Sequence, residues 1–488
     1  MTLPADIYST ADVRLIDRRA IEGGTSGYAL MERAACAALA AARARFPDSL
    51  RWQVVCGGGN NAGDGYALAR LAAGEGIAVA VLAVVEPARL TGDAATAYRD
   101  FSAVGEARPF AGVLDPEATL LVDALLGSGV ARNLEGPFAE AVDALNAHPA
   151  AVLALDLPSG IDGDTGAVLG HAVRADMTVT FVGLKRGLFL GRGPEHAGEL
   201  RYDGLGIPAA CFEGIRPALR RLDAGDPARR LPSRRRDAHK GDFGHVLVVG
   251  GGPGMAGAAR LAGEAALRAG AGRVSVAAAP ESAGAIVGGC PELMCHAIRE
   301  PAELGALLEQ ATCVAVGPGL GTAAWSRALF AAVLDAELPL VADADALNLL
   351  ACAPRRRDDW ILTPHPGEAA RLLGCTPAAV QADRLAALAA LGRRYGGTVV
   401  LKGAGTLVSA AGQPARICPY GNPGMASAGM GDVLTGVVAA LRAPGLARDN
   451  AAALGVTVHA LAGDRAAGAA PRGLLARDLI ANLRVCVN

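Results

Sequence analysis

Three stretches of the first half place oxygen-bearing side chains where apolar runs end. The apolar run Trp52–Cys56 leads into GGGNNAGDGYALAR, which puts Asn60, Asn61 and Asp64 in a glycine-rich turn. The run Thr119–Asp123 ends on Asp123, and Ala151–Asp156 ends on Asp156, followed by Ser159 and Asp162. Amides, carboxylates and a hydroxyl are donors and acceptors for a polar ring, and oxygen ligands for a hard cation. Ligands of open parallel sheets gather at the carboxyl ends of strands, so three polar strand ends point to one site. Each Asp or Ser taken singly is also an ordinary loop cap.

The second half carries a different chemistry. In NPGMASAGMGDVLTGVVAAL, Gly429 and Gly431 precede a helix expected to begin near Asp432. Bare backbone N–H groups at a helix start suit an anion. A carboxylate there would repel phosphate unless it acts as a base, and Asp432 is placed to take a proton from a hydroxyl that attacks a phosphoryl group. LKGAGT ends a strand with Lys402 beside Gly403, Ala404, Gly405 and Thr406, and TPHPGE sets His365 at a strand end and Glu368 in a first helical turn. Lysine beside a glycine turn can neutralise phosphate, and Glu368 can simply complement the helix dipole. Only three lysines stand against 43 arginines: Lys185, Lys240 and Lys402. In so arginine-rich a chain, a retained lysine points to a position where a flexible point charge matters.

The elements that must hold these residues read as α/β. Apolar strand-like runs alternate with alanine-rich helical stretches throughout, the signature of mainly parallel sheets. Ahead of the first glycine turn come two helices, one opening at Ser9 with Asp12 three residues on, the other running from about Ser26 to Phe46. Helices are expected at Gly65–Ala73, Asp93–Val104 and Phe138–Ala147, and further strands at Ile77–Val85, Met177–Val182 and Glu199–Tyr202. Gly57, Gly59 and Ala62 also fit a dinucleotide fingerprint, with Glu86 where a ribose-binding acid belongs. The rhythm breaks at an arginine-, aspartate- and proline-rich stretch and restarts at His245–Val249. Two domains are expected, residues 1–222 and 236–488, joined by a solvated linker over 223–235. In the second, strands are expected at Arg273–Ala278, Cys313–Val316, Pro339–Ala342, Trp360–Thr363 and Thr398–Leu401, with a helix from about Met255 to Ala269.

Composition narrows the function. The 488 residues are 52% hydrophobic and 19% charged, and the formal net charge is -2. Such a chain folds, and has no basic footprint for nucleic acid or acidic membranes. Aromatics are 4%, too few for base-stacking platforms. The purest apolar run, Ile77 to Val85, is far short of the roughly 20 residues that span a bilayer. The N-terminal segment lacks an apolar signal core, and ten scattered cysteines show no zinc spacing. A cytoplasmic enzyme is expected, with assembly as a homo-oligomer left open.

CGGGNNAGDGYALAR, DALLGSG and DLPSGIDGDTG together resemble the NAD(P)H-hydrate epimerase domain, over about residues 1–215. The resemblance implies a Rossmann-like three-layer fold and interconversion of the two epimers of hydrated nicotinamide cofactors. It places a potassium ion among Asn61, Asp123 and Ser159. Substrate is expected against Asn60, Asn61, Ala62, Gly63 and Asp64, against Gly127, Ser128, Gly129, Val130, Ala131, Arg132 and Asn133, and at the catalytic Asp156. Ala62 departs from the family, which more often has glycine there.

HKGDFGHVLVVGG, GPGLG, TPHPGE, KGAGT and NPGMASAGMGD together resemble the ADP-dependent NAD(P)H-hydrate dehydratase, a ribokinase-like α/β fold, over roughly 236–488. That implies the hydrate (of NADH or NADPH) at Ala258, Gly319, His365 and the catalytic Asp432. It implies ADP at Lys402, Gly403, Ala404, Gly405, Thr406 and Gly431, with magnesium. Phosphorylating the ring hydroxyl turns a poor leaving group into a good one, so a kinase fold can dehydrate. Two rivals remain at this stage. One is a vitamin or sugar kinase with an accessory Rossmann domain, against which His365 argues, since such kinases more often carry Asn there. The other is a non-catalytic NAD-binding sensor, which would need neither Asp432 nor three polar strand ends.

Overall fold

The computed structural model describes residues 3–130, 132–409 and 412–488, so Ala131 of the expected substrate loop lies outside the described residues. The chain divides into two compact units, residues 1–219 and 220–488.

In the first unit a seven-stranded sheet is wholly parallel. Its order is Ala107–Pro109, Ala78–Ala83, Arg51–Cys56, Leu120–Ala124, Ala151–Leu155, Met177–Phe181 and Glu199–Asp203. The chain runs outward one way from Arg51–Cys56 and the other way from Leu120–Ala124. The topological switch therefore falls between those two strands, where such sheets bind ligands. Alternate residues feed opposite faces. Val54 and Cys56 pack with the helices Gly27–Arg45, Asn60–Gly74 and Gly92–Phe101. Val55 and Leu121 pack with Pro137–Ala147. Three layers result. The helix after the first strand starts at Asn60 rather than Gly65, so both asparagines belong to its first turn. Ser9 and Ser26 cap the two preceding helices, Thr10–Glu22 and Gly27–Arg45.

In the second unit the strands follow the order Met294–Ala297, Arg273–Ala278, His245–Val249, Cys313–Val316, Leu340–Ala342, Trp360–Leu362 and Thr398–Leu401, all parallel. The antiparallel strands Thr406–Val408 and Ala415–Cys418 follow. The switch lies between His245–Val249 and Cys313–Val316. One face is covered by Ala256–Arg268, Met430–Arg442, Arg448–Ala467 and Ala476–Cys486.

The segment expected as a solvated linker is docked on this second unit. Leu222 is buried in its core. Asp226–Arg230 forms a helical turn, Arg230 donates to Asn450, and the Arg234 guanidinium lies 3.8 Å from the Phe243 ring centroid. Arg234 uses its planar face in packing, whereas Arg229, Arg230, Arg235 and Arg236 are exposed to solvent.

Candidate active site

In the first unit, loops at the switch enclose a cavity of about 590 Å3 lined by Asn60, Asn61, Asp64, the segment Gly127 to Val130, Asp156 and Lys185. Gly57 lets the loops close: a Cβ there would fall 1.9 Å from the Leu125 carbonyl oxygen. Gly127 sits between the two key polar groups, since a Cβ on it would lie 3.5 Å from Asn61 Cβ and 3.6 Å from Asp156 Oδ2. Asp156 takes a φ of 66°, left-handed backbone that costs a non-glycine residue about 1–2 kcal/mol. Such strain concentrates where a side chain must be aimed.

The Asp156 carboxylate is ion-paired with Lys185. The Lys185 side chain is only 2% exposed. It also donates to Phe181 O at 2.7 Å and Thr180 Oγ1 at 3.1 Å. Burial raises the carboxyls of Asp17 and, far more, Asp64, both of which line the same cavity; neighbouring Asp156 adds to the effect and Lys185 opposes it. The site thus pairs a carboxylate held by an ammonium with carboxyls that burial makes harder to ionise.

Asp123 and Ser159 lie beneath this cavity and are bonded to one another. Ser159 Oγ donates to Asp123 Oδ1 at 2.6 Å, and Ser159 N–H to Oδ2 at 2.8 Å. Burial pushes the Asp123 carboxyl up to about 6, against the pull of those bonds. Ser159 Oγ accepts from Leu126 N–H, which ties the pair to the loop that carries Gly127. Asn61 is the odd member: both its amide atoms are buried and have no hydrogen-bond partner. An orphaned amide oxygen, a carboxylate and a hydroxyl are a donor set that fits a hard monovalent cation.

Other expected residues fall elsewhere. Ala62 and Gly63 are buried in helix packing; a Cβ on Gly63 would meet Met31 Cε at 2.5 Å. Arg132 and Asn133 are exposed and do not line the cavity. Asp162 caps a turn, accepting from Asp164 and Thr165 N–H. Glu86 is exposed on the surface near Arg89 rather than at a ribose position.

In the second unit the strand ends again converge. The helix Met430–Arg442 begins two residues earlier than expected, with Gly429 at a φ of 88° as its cap. Asp432 sits in the first turn, and burial, then Asp343, push its carboxyl up to about 7. Lys402 Nζ lies 3.3 Å from a Cβ built on Gly431, directly against the glycine turn. It is held by Asp343 at 2.6 Å, which in turn accepts from Thr435 Oγ1 at 2.7 Å, and it lies 3.8 Å from Glu368. Burial raises the Glu368 carboxyl, with Asp343 adding to the rise and Lys402 opposing it.

His365 caps the helix Pro366–Leu373: its Nδ1 accepts from Gly367 N–H at 3.0 Å, and Glu368 returns a bond to His365 N–H at 2.8 Å. With Nδ1 accepting, the proton sits on Nε2. Burial and Lys402 lower the ring's pKa, so it is neutral at pH 7. Ala258 and Gly319 meet, a Cβ on Gly319 coming 3.0 Å from Ala258 Cβ. Gly319 and Gly321 belong to the loop after Cys313–Val316, and Gly321 N–H donates to Asp345 beside Asp343. Thr406 closes the Lys402 loop by donating to Gly403 O.

Sequence reasoning missed Asp343 and gave Glu368 only a dipole role. It named Lys185 without a partner. The rarity of lysine was the available signal: two of the three are buried or half-buried against carboxylates, whereas Lys240 is exposed in a surface turn.

Two doubly wound α/β units, one with a carboxylate–ammonium cavity and one with a buried carboxylate and a lysine against a glycine turn, present two separate sites. Residues 246–484 match the family model described as NAD(P)H-hydrate dehydratase, and residues 27–187 match that of the YjeF-related protein N-terminus. The chain is 47% identical over 484 residues to the bifunctional NAD(P)H-hydrate repair enzyme of Coxiella burnetii, covering 99% of both chains. It is 42% identical to that of Escherichia coli, covering 100% of this chain and 95% of the other. Among solved structures it resembles the ADP/ATP-dependent NAD(P)H-hydrate dehydratase of Bacillus subtilis co-crystallised with ATP and magnesium. That match has a TM-score of 0.50 and 28% identity, over 54% of this chain and 96% of the other. The chain belongs to the family of bifunctional NAD(P)H-hydrate repair enzymes. It is an enzyme with two activities, an epimerase and a dehydratase.

Proposed function

We propose that the first unit epimerises NADH and NADPH hydrates through Asp156 and Lys185, and that the second dehydrates one epimer with ADP through Asp432. The observation that carries this reading is Asp432, a carboxyl pushed up to about 7 in the first turn of a helix, next to Gly431, which adjoins Lys402. A base matched to neutral pH beside an anion cradle is what phosphoryl transfer to a hydroxyl requires.

Epimerisation at the carbon bearing the hydroxyl proceeds by ring opening or by loss and return of that hydroxyl. Either route needs a proton moved and a cationic intermediate steadied. Asp156 supplies the acceptor and the negative charge, and Lys185 the adjacent donor. Potassium would be held by Asn61, Asp123 and Ser159, where it would fix the loop and supply positive charge beneath the substrate. The orphaned amide of Asn61 supports that placement.

In the second unit Asp432 removes the ring hydroxyl's proton as the oxygen attacks the β-phosphoryl group of ADP, and AMP leaves. Backbone N–H groups of the glycine turn and Lys402 face the charge that develops. The phosphate ester then eliminates and restores the dihydronicotinamide. Ala258, Gly319 and the neutral His365 border the hydrate, and Lys402 to Thr406 with Gly431 take the nucleotide. Magnesium usually binds through one or two carboxylates plus phosphates, and with the nucleotide it would neutralise the diphosphate. Ten free cysteines support a reducing compartment, the cytoplasm; among the described residues no helix is long and apolar enough to cross a membrane.

The test is to give the full chain a mixture of hydrate epimers with ADP and follow dihydronicotinamide absorbance. Asp156→Asn should consume one epimer and stall on the other, and Asp432→Asn should consume neither. Full conversion by either variant would overturn the assignment.

A further inference from the structure

Arg384 is a buried guanidinium without a counter-ion. It opens the helix Arg384–Tyr395, is 6% exposed, and has no carboxylate within ion-pair distance among the described residues. Removing a cation from water costs several kcal/mol unless it is paired. What Arg384 has instead is carbonyl oxygens. Its Nη2 donates to Leu401 O and Gly405 O at 3.2 Å each and to Lys402 O at 3.4 Å, and its Nη1 donates to Gln381 Oε1 at 3.0 Å. Bonds of 3.2–3.4 Å are long and repay only part of the desolvation. Burial lowers the group to about 10, which leaves it charged at neutral pH.

The carbonyls it gathers all belong to one loop, the turn from Leu401 to Gly405. A loop that receives a diphosphate must not present carbonyl oxygens to it, because those dipoles repel an anion. The guanidinium takes three of them from beneath. It also fills the space under Gly403, whose φ is 132° and where a Cβ would fall 2.8 Å from Nη1. A purely structural brace would be served by a neutral donor at lower cost; a fixed positive charge under a phosphate loop has a second use.

We propose that Arg384 is a positioning residue for the nucleotide: it turns the carbonyls of the Leu401–Gly405 loop away from the diphosphate and sets positive charge beneath it. This rests on the reading of that loop as the ADP site. It acts through the loop, so its loss should raise KM for ADP and spare the hydrate.

The experiment uses the full chain with Arg384→Met, Arg384→Lys and Arg384→Ala, and measures KM for ADP and for the hydrate separately. Arg384→Met should raise KM for ADP about 10–100-fold, the scale of a misplaced positioning group. KM for the hydrate should stay within about twofold, and epimerase activity should not change. Arg384→Lys, which keeps charge and length but not the fork, should show a smaller rise of the same kind. For Arg384→Ala, millimolar guanidinium should lower KM for ADP again, and methylammonium should do so less. An unchanged KM for ADP in Arg384→Lys and Arg384→Met overturns the proposal, as does an equal rise for both substrates with no guanidinium rescue. Lys402→Met separates the two readings: if it also leaves KM for ADP unchanged, the loop is not the nucleotide site and the parent assignment fails.

Discussion

Replacing Asp432 with asparagine should silence the dehydratase and stabilise the unit that carries it. The amide keeps the carboxyl's shape but cannot take a proton, and losing a general base costs about 10²–10⁴ in rate. The stability effect comes from burial. The carboxyl is raised from 3.8 to about 7, first by burial and then by Asp343, with Lys402 opposing. The folded chain therefore holds this proton more tightly than the unfolded chain does. Below pH 3.8 both states are protonated and the substitution gains nothing. Between 3.8 and about 7 the folded state is progressively penalised as pH rises, and above that the penalty is complete. At about 1.36 kcal/mol per pH unit the ceiling is about 4 kcal/mol. Water at this partly exposed group screens it, so a gain of about 1–4 kcal/mol is expected at pH 8, and less at pH 5. For a unit of this size each kcal/mol is worth about 2–4 °C in Tm. Calorimetry at the two pH values reads the gain, with the second unit's transition identified by its rise on adding ADP. Turnover within tenfold of the parent, or a lower Tm at pH 8, would refute the reasoning.

Four other outcomes are expected. The dehydratase kcat/KM should rise with pH through about 7 as Asp432 loses its proton, and a flat profile from pH 5 to 9 would count against it as the base. Asp343→Asn should shift that limb to lower pH, because a like charge beside Asp432 is gone, and should weaken ADP binding because Lys402 loses its 2.6 Å partner; a limb moving to higher pH contradicts this. Lys185→Met should lower epimerase activity at least about 100-fold and destabilise the first unit by about 3–5 kcal/mol, the cost of leaving one member of a buried pair, with single-epimer dehydration intact. Asn61→Ala should abolish any stimulation of the epimerase by potassium, yet leave stability in potassium-free buffer unchanged or higher, since an orphaned buried amide is removed.

The α/β rhythm was readable because buried parallel strands are continuous apolar runs. His245–Val249, Arg273–Ala278, Cys313–Val316 and Thr398–Leu401 have the bounds that the sequence pattern predicts. The polar strand ends were readable for the same reason: Asp123, Asp156 and Lys402 interrupt or terminate apolar runs. The partners of those groups were not. Asp343 follows a three-residue strand in VADADALN, where either aspartate looks like a helix cap. Lys185 meets Asp156 across 29 residues, and Lys402 meets Asp343 across 59; no local spacing reports such pairs. The 223–235 segment is exposed at most positions, as a solvated linker would be, but Pro227, Leu231 and the Arg234 planar face anchor it to the second unit. Gly63, expected against substrate from the family resemblance, packs against Met31 instead.

The central claim is that the two activities reside in separate units with separate residues, and complementation tests it most directly. Asp156→Asn and Asp432→Asn full-length chains are mixed in equal amounts with both hydrate epimers and ADP. Alone, the first should consume one epimer rapidly and the other only at the rate of spontaneous epimerisation, and the second should consume neither. Together they should return all of the dihydronicotinamide absorbance, with one ADP used per hydrate repaired. If the Asp156→Asn chain alone consumes both epimers at equal rates, or the mixture stalls after one, the assignment of the two sites is contradicted.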